Sequence, residues 1–343
     1  MESLDLRVLA DALQWRQSGH AVTLVTVVET WGSAPRPPGA LLAVRDDGAV
    51  SGSVSGGCVE DDLIAQTKVA MQTRVVSQTS PQVPELPSML AYGVSKDEAA
   101  RFGLPCGGTL RLVREPLLDT AWVQTLLDRT AQHELVARQL TLATGGVRLL
   151  PATRGQAVQF DGSVLTTVFG PKWRLLLIGA GQLSQAVAQM AQMLDFEVLV
   201  CDPREEYMTT LRMDGVTRAM GMPDDAVRAL EPDAHTAIVA LTHDPKLDDM
   251  ALLEALGSDA FYVGALGSRR NQAARKQRLA EHFDVSAKDL ARLHGPVGLY
   301  LGAKTPAEIA VSIIAQIVQI KNAAPHVQPA TESGACLVAN PQS

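Results

Sequence analysis

The sequence predicts an α/β protein. An N-terminal α+β unit over residues 1–168 precedes a doubly wound parallel-sheet unit over 169–323, and a tail of 324–343 follows. Three observations carry this. Trp173 to Ile178 is an unbroken apolar run of the type that parallel strands buried on both faces display. Gly179-Ala180-Gly181 then turns the chain into a helix-patterned stretch, Leu183 to Leu194. Further strand-type runs at Glu197–Cys201, Thr236–Leu241 and Ala260–Val263 alternate with helical segments, which makes the second unit Rossmann-like.

In chain order, Leu6, Leu9, Leu13 and Arg16 recur at helical spacing and predict a helix over 5–18. Residues 21–30 are β-branched and strand-like. Pro35, Pro37 and Pro38 make the next segment a loop. Asp46-Asp47-Gly48 between apolar runs predicts a hairpin, and a helix follows over 58–73. Three prolines suggest that 77–100 is irregular surface. A strand over 108–114, a helix over 117–132 and strands near 135–142 and 157–168 close the first unit, with Gly170-Pro171-Lys172 as the boundary. Thr305, Pro306 and Glu308 form a capping-box signal for the last helix, whose apolar stripe is Ile309, Ile313, Ile317 and Ile320. The small, polar tail is expected to be mobile.

Hydrophobic residues make up 46% of the 343, enough for two ordinary cores. The net charge of −7 and the lack of a basic run disfavour nucleic acid or an acidic membrane as partner. No apolar run reaches the ~20 residues of a membrane helix, and the acidic start does not resemble a signal peptide. Four cysteines in such a chain make no disulfide framework, so reduced thiols and a cytoplasmic location are expected.

Two cysteines sit among glycines: Ser55-Gly56-Gly57-Cys58-Val59-Glu60 and Gly103-Leu104-Pro105-Cys106-Gly107-Gly108. Gly56 and Gly57 leave the backbone bare, so a large ligand can approach closely. Cys58 opens a helix, where the dipole favours thiolate. The dipole contributes only ~0.3–1 kcal/mol, whereas one pKa unit corresponds to ~1.4 kcal/mol. A cation must therefore help, and Arg36 is the candidate, opposed by Glu60 and Asp61. Cys58 is thus a ligand or a sulfur-handling thiol, while Cys106 is a second ligand or simply a small residue in a turn. Cys201 and Cys336 are incidental, and no Cys/His spacing reads as a zinc site.

In the second unit, Gly179, Gly181 and Asp202 match part of a dinucleotide fingerprint: glycines for close approach, helix amides for a pyrophosphate, a carboxylate for a ribose hydroxyl. Ser184 stands at the third glycine position. His243 and Asp244 follow a buried strand and either face the crevice or cap the next helix. Gly267, Ser268, Arg269 and Arg270 also follow a strand and form either an anion site or a tight turn with surface arginines.

Together with Gly32-Ser33-Ala34-Pro35-Arg36-Pro37-Pro38-Gly39, Leu241 to Asp249, Tyr262 to Arg270, His294 to Leu299 and Lys304 to Glu308, the two cysteine loops resemble the XdhC/CoxI family of xanthine dehydrogenase accessory proteins, in order over about 5–322. The resemblance implies an N-terminal XdhC/CoxI domain and a C-terminal Rossmann-like domain. It implies a chaperone that binds molybdenum cofactor, protects it, and delivers it sulfurated to a molybdenum hydroxylase. The apo-hydroxylase and a cysteine desulfurase are the implied partners, and a homo-oligomer is expected. Cys58, followed by Cys106, carries over as a contact to the cofactor and its metal, and NAD(P) is not expected to be essential. The alternative is an NAD(P)-dependent oxidoreductase with His243 as acid/base. The chaperone reading places its site in the cleft between the two units.

Overall fold

The computed structural model describes residues 3–30, 36–57, 59–76, 86–93, 109–210 and 213–323. The first unit opens with α1 (Ser3–Gln17), whose Val8, Leu9, Ala12 and Leu13 are buried. Strands β1 (Val22–Thr30), β2 (Leu41–Arg45) and β3 (Val50–Gly52) follow, with β2 and β3 paired antiparallel around the Asp47-Gly48 turn. Gly48 has φ +93°, a value this tight turn demands and side chains resist. After α2 (Glu60–Val76) come β4 (Ser88–Tyr92), β5 (Leu110–Pro116) and α3 (Ala121–Ala131). Strands β6 (Val136–Thr141), β7 (Gly146–Pro151), β8 (Gln159–Phe160) and β9 (Val164–Phe169) complete the unit.

These strands form two antiparallel sheets, ordered β3-β2-β1-β5-β4 and β7-β6-β9-β8. Three elements differ from expectation; the first is 157–168, read as one strand, which is two, β8 and β9, paired antiparallel across the Asp161-Gly162 turn. Within the segment read as irregular, residues 88–92 pair with β5 as an edge strand. That register leaves Ser88 to Leu90 only half-buried, so little apolar alternation marks the strand. Strand β7 is absent from the sequence reading, although Gly145-Gly146 before an apolar run is a hairpin signal.

The two sheets share a core containing a polar layer. Val28, Val113, Leu140 and Leu165 pack on one side of it, and Leu24, Leu117, Val136 and Phe169 on the other. Thr26, Glu115, Arg138 and Thr167 alternate between them, all buried. Arg138 donates to Glu115, and its guanidinium lies 4.2 Å from the Trp122 ring centroid. Thr26 Oγ1, Glu115 Oε1, Arg138 Nε and Thr167 Oγ1 have no hydrogen-bond partner among the described residues.

The second unit runs β10 (Arg174–Ile178), α4 (Gln182–Met193), β11 (Glu197–Cys201), α5 (Glu205–Thr210), β12 (Val216–Ala219), α6 (Pro223–Leu230) and β13 (Thr236–Ala240). It continues with α7 (Pro245–Gly257), β14 (Tyr262–Ala265), α8 (Arg269–Phe283), α9 (Ala287–Ala291), β15 (Leu293–His294) and α10 (Pro306–Asn322). All six strands are parallel, in the order β12-β11-β10-β13-β14-β15. This is the doubly wound Rossmann order, with its switch point between β10 and β13. Helices α4 and α10 cover one face; α6, α7 and α8 cover the other. The capping box at Thr305 and Glu308 is formed.

The described polar contacts between the two units gather at one edge of the parallel sheet. His133 Nδ1 lies 3.1 Å from Asp233 Oδ2. Arg154 donates to Ala234 O and Lys321 O, each at 3.2 Å, and stacks over Trp173 and Phe261. Asp233, Ala234, Trp173 and Phe261 precede β13, β10 and β14, so this seam borders the strands' N-terminal ends, opposite the edge at which doubly wound sheets in general bind ligands. A shared cleft at that edge is therefore not built by these contacts.

Breaking the pair in the polar layer strands a charge in a dry core. Arg138→Ala is expected to lower unfolding stability by about 3–5 kcal/mol. The double variant Arg138→Met/Glu115→Leu, which removes both charges, is expected to lose much less in a urea titration.

Candidate functional site

The C-terminal ends of β10, β11, β13 and β14 form a crevice built on loops that leave each strand. β10 ends at Gly179, whose φ is +109° and whose amide donates to Cys201 O at 2.7 Å. A Cβ there would stand 3.1 Å from Thr242 N, so glycine is needed for the approach of two strand ends. Gly181 is the N-cap of α4, without a side-chain cap, and a Cβ on it would meet nothing within 4 Å. The open space and the uncapped amides are what a phosphate requires. Ser184, in the first turn, is 1% exposed, and its Oγ has no partner among the described residues.

Asp202 does not have the free carboxylate that the fingerprint suggests. Its oxygens accept from Ala180 N at 2.9 Å, from Arg204 N at 3.1 Å, and from Arg204 Nε and Nη2 at 2.8 Å each. Burial pushes its carboxyl up, but the Arg204 and Ala180 hydrogen bonds prevail and hold it below the ordinary value. Where the sequence suggests a ribose acceptor, the structure gives the Asp202 carboxylate local partners. A lone sequence position does not reveal that a neighbour two residues on fills it.

After β13, Thr242 and α7 anchor the second rim. Asp244 caps α7, accepting from Lys246 N at 2.9 Å. His243 is exposed, with φ +63°. Beneath them lies a charge network the sequence did not disclose. Asp248 is fully buried and accepts from Thr242 N and Oγ1, at 3.2 and 2.7 Å, and from Arg275 Nη2 at 3.0 Å. Asp249 accepts from Arg275 Nε at 2.9 Å and Arg278 Nη2 at 2.6 Å, while Arg275 Nη1 donates to Leu266 O at 3.2 Å. Burial dominates at Asp248 and raises its pKa against the pull of Thr242 and Arg275.

Above this network is a cavity of ≈ 220 Å³ lined by His243, Pro245, Leu266, Gly267, Asn271, Ala274, Arg275 and Arg278. Gly267 joins it as expected from the turn. Arg269 and Arg270 are exposed and outside the lining. Ser268 caps α8, accepting from Asn271 N. The arginines facing the cavity, Arg275 and Arg278, lie about one and a half and two and a half turns further along α8. Their inward direction follows from the helix's seating on α7, which no local pattern encodes.

In the first unit, the loop before α2 is organised by one buried carboxylate. Glu60 Oε1 accepts from Ser53 Oγ at 2.7 Å and from Val54 N and Ser55 N at 2.9 Å. Its Oε2 accepts from Ser55 Oγ and from Gly57 N, the latter at 2.9 Å. Burial raises the Glu60 carboxyl, but the bonds from Ser55, Ser53 and the loop amides outweigh it and hold it at about 2. Arg36 grips the same loop from outside, donating to Ser53 O at 3.2 Å and lying 3.8 Å from Asp5. Gly56 and Gly57 are described, with Gly57 opening onto free space. Cys58 and Cys106 lie outside the described residues, as do Gly32 to Pro35 and the tail. Cys201 is buried with a thiol pushed up to about 11, which makes it inert. Among the described residues no His/Cys/Asp/Glu cluster could hold a metal, and no helix is long and apolar enough to cross a membrane.

The fold and its two glycine-framed loops define a class: an α+β domain joined to a Rossmann domain. The description "XdhC Rossmann domain" matches residues 175–317, and "XdhC and CoxI family" matches 15–78. The chain belongs to the XdhC and CoxI family. It is 27% identical to the Molybdenum cofactor insertion chaperone PaoD of Escherichia coli, over 92% of this chain and 88% of that one. It is 28% identical to a Bacillus subtilis protein described as a probable xanthine dehydrogenase subunit, over 92% and 98%. It is 27% identical to Escherichia coli YqeB over 97% of its own length but spans only 50% of that relative. A solved structure described as a xanthine dehydrogenase from Bacillus halodurans has the same fold, with a TM-score of 0.74 at 24% identity, covering 96% of this chain and 98% of that one.

The depressed Glu60 carboxyl contributes stability that is fully present above the unfolded value, about 4.5, and fades as pH falls toward about 2. Glu60→Gln is therefore expected to be less stable than the parent near neutral pH, with the gap closing below about pH 4. Chemical denaturation of both proteins across that range measures it.

Proposed function

We propose that this protein is a molybdenum cofactor-binding accessory protein that protects the sulfurated cofactor and delivers it to a xanthine dehydrogenase-type hydroxylase in the cytoplasm. The observation that carries the reading is near-full-length similarity to a molybdenum cofactor insertion chaperone. The geometry supports it at both ends of such a cargo. The loop of Gly56 and Gly57, held rigid by Glu60 and Arg36, offers bare backbone beside Cys58, whose thiol suits a soft, sulfur-ligated metal. Cys106 is the second candidate contact. In the other unit, Gly179 and Gly181 shape the uncapped start of α4 for a phosphate. The cavity of His243, Gly267 and Arg275 lies at the same edge of the sheet, where Asp244 caps α7, while Ser268, Arg269 and Arg270 stay outside its lining.

Delivery requires an apo-hydroxylase, and sulfuration requires a cysteine desulfurase; both are partners in this reading. A homo-oligomer fits it as well, since the described seam within one chain joins the units at the edge opposite the crevice. The competing reading, an NAD(P)-dependent oxidoreductase using the Rossmann half, finds no free carboxylate at Asp202 for the ribose of NAD.

Protein purified from a molybdenum-replete host is expected to carry molybdenum and the absorption of a pterin cofactor. Cys58→Ala should fold normally yet retain at least about tenfold less molybdenum, the equivalent of ~1.4 kcal/mol. Equal retention by variant and parent after gel filtration removes Cys58 from the site. NAD turnover by the full chain, unaffected by Cys58→Ala, overturns the chaperone reading.

A further inference from the structure

The end of β11 rejects one kind of ligand group and offers a hold for another. In a doubly wound sheet, the carboxylate closing the second strand accepts the ribose hydroxyls of a bound nucleotide, whereas an arginine nearby accommodates a phosphate on that ribose. A carboxylate has about four acceptor directions. At Asp202 all four are filled, two on each oxygen, by Ala180 N and by the backbone and guanidinium of Arg204. The Asp202 side chain is also 0% exposed. A ribose diol arriving here finds no acceptor, and its own desolvation goes uncompensated.

Arg204 is held in the opposite condition. Nε and Nη2 are fixed on Asp202, and the guanidinium lies 4.0 Å from the centroid of the Tyr207 ring, so its plane is set from two sides. Nη1 has no hydrogen-bond partner among the described residues, and the side chain is 29% exposed. This is a preorganised donor at the solvent edge of the crevice. The space over Gly181 is open, and the buried Ser184 Oγ in the first turn of α4 lacks a partner among the described residues. Asp244 is the other carboxylate felt by this guanidinium, and its cap bond to Lys246 N engages one of its oxygens.

We propose that Arg204, not Asp202, selects the ligand at the end of β11, and that the group it takes is a phosphate monoester where a nucleotide-type ligand would otherwise present a ribose diol. This rests on the reading of the crevice as the phosphate-binding end of the site. Tyr207, 40% exposed, holds the arginine in plane and is a positioning residue. The consequence is a specificity set by a side-chain pair two residues apart: the arginine both offers the cation and blocks the carboxylate.

The test is calorimetric titration of the full chain with two probes, adenosine 5′-monophosphate, which carries a free diol, and adenosine 2′,5′-bisphosphate, which carries a phosphate in its place. The parent is expected to bind the bisphosphate at least tenfold more tightly, with the margin shrinking as salt is raised. Arg204→Gln should lose that margin and bind the monophosphate more tightly than the parent does, because Asp202 is released. Arg204→Lys, which keeps the charge near Asp202 but not the fork, should retain part of the margin. It also guards against a simple loss of folding, which thermal melts of all three proteins report. Equal affinity of the parent for both probes, or a margin that survives in Arg204→Gln, overturns the inference while leaving a nucleotide-type crevice intact. No binding of either probe by a folded parent overturns both the inference and that reading of the crevice.

Discussion

A buried carboxylate accepting backbone amides holds the loops around each candidate site, and the rest of the functional architecture depends on that constraint. Loops made of glycine and small polar residues expose donors that strands and helices would otherwise satisfy, and a donor left buried and unpaired is costly. Glu60 takes the amides of Val54, Ser55 and Gly57; Asp202 takes that of Ala180; Asp248 takes that of Thr242. Each carboxylate sits in or beside a helix or strand of its own domain, so each loop inherits the rigidity of the core beneath it.

That device also accounts for how charge is handled. At Asp248 and Asp249 the negative charges are matched by Arg275 and Arg278, all within a layer joining α7 to α8. Removing one member of such a network leaves a buried charge without its counterpart, which is far more costly than removing the whole set. The network therefore ties the His243 rim to the Gly267 turn as one unit. At Asp202 the matched partner is Arg204 from the same strand end, and the price of a tidy local pair is the loss of a free ribose acceptor.

The two domains place their loops differently. The crevice of the parallel sheet lies at its C-terminal edge, as the strand order requires. The seam to the first domain, built on His133, Arg154 and their partners, lies at the other edge. A strand of five residues spans roughly 16 Å at ~3.3 Å per residue, so the seam and the crevice are separated by about the length of a strand.

Local chemistry is enough to read much of this chain from its sequence. The helix cap at Thr305, the Asp47-Gly48 hairpin, the apolar strand at Leu175 to Ile178 and the glycine turns after it depend on neighbours a few residues away, so their physics is written in adjacent letters. The Glu60 loop is visible as a candidate site from Gly56 and Gly57, although in sequence Glu60 itself reads only as a charge opposing a thiolate. What only the tertiary structure decided is which polar groups meet. Arg275 and Arg278, rather than Arg269 and Arg270, face the cavity because α8 packs against α7 through that side. Thr26, Glu115, Arg138 and Thr167 form one layer because two sheets from distant segments stack in one register. Contacts of that kind are fixed by the packing of whole elements, and no window of sequence contains both partners.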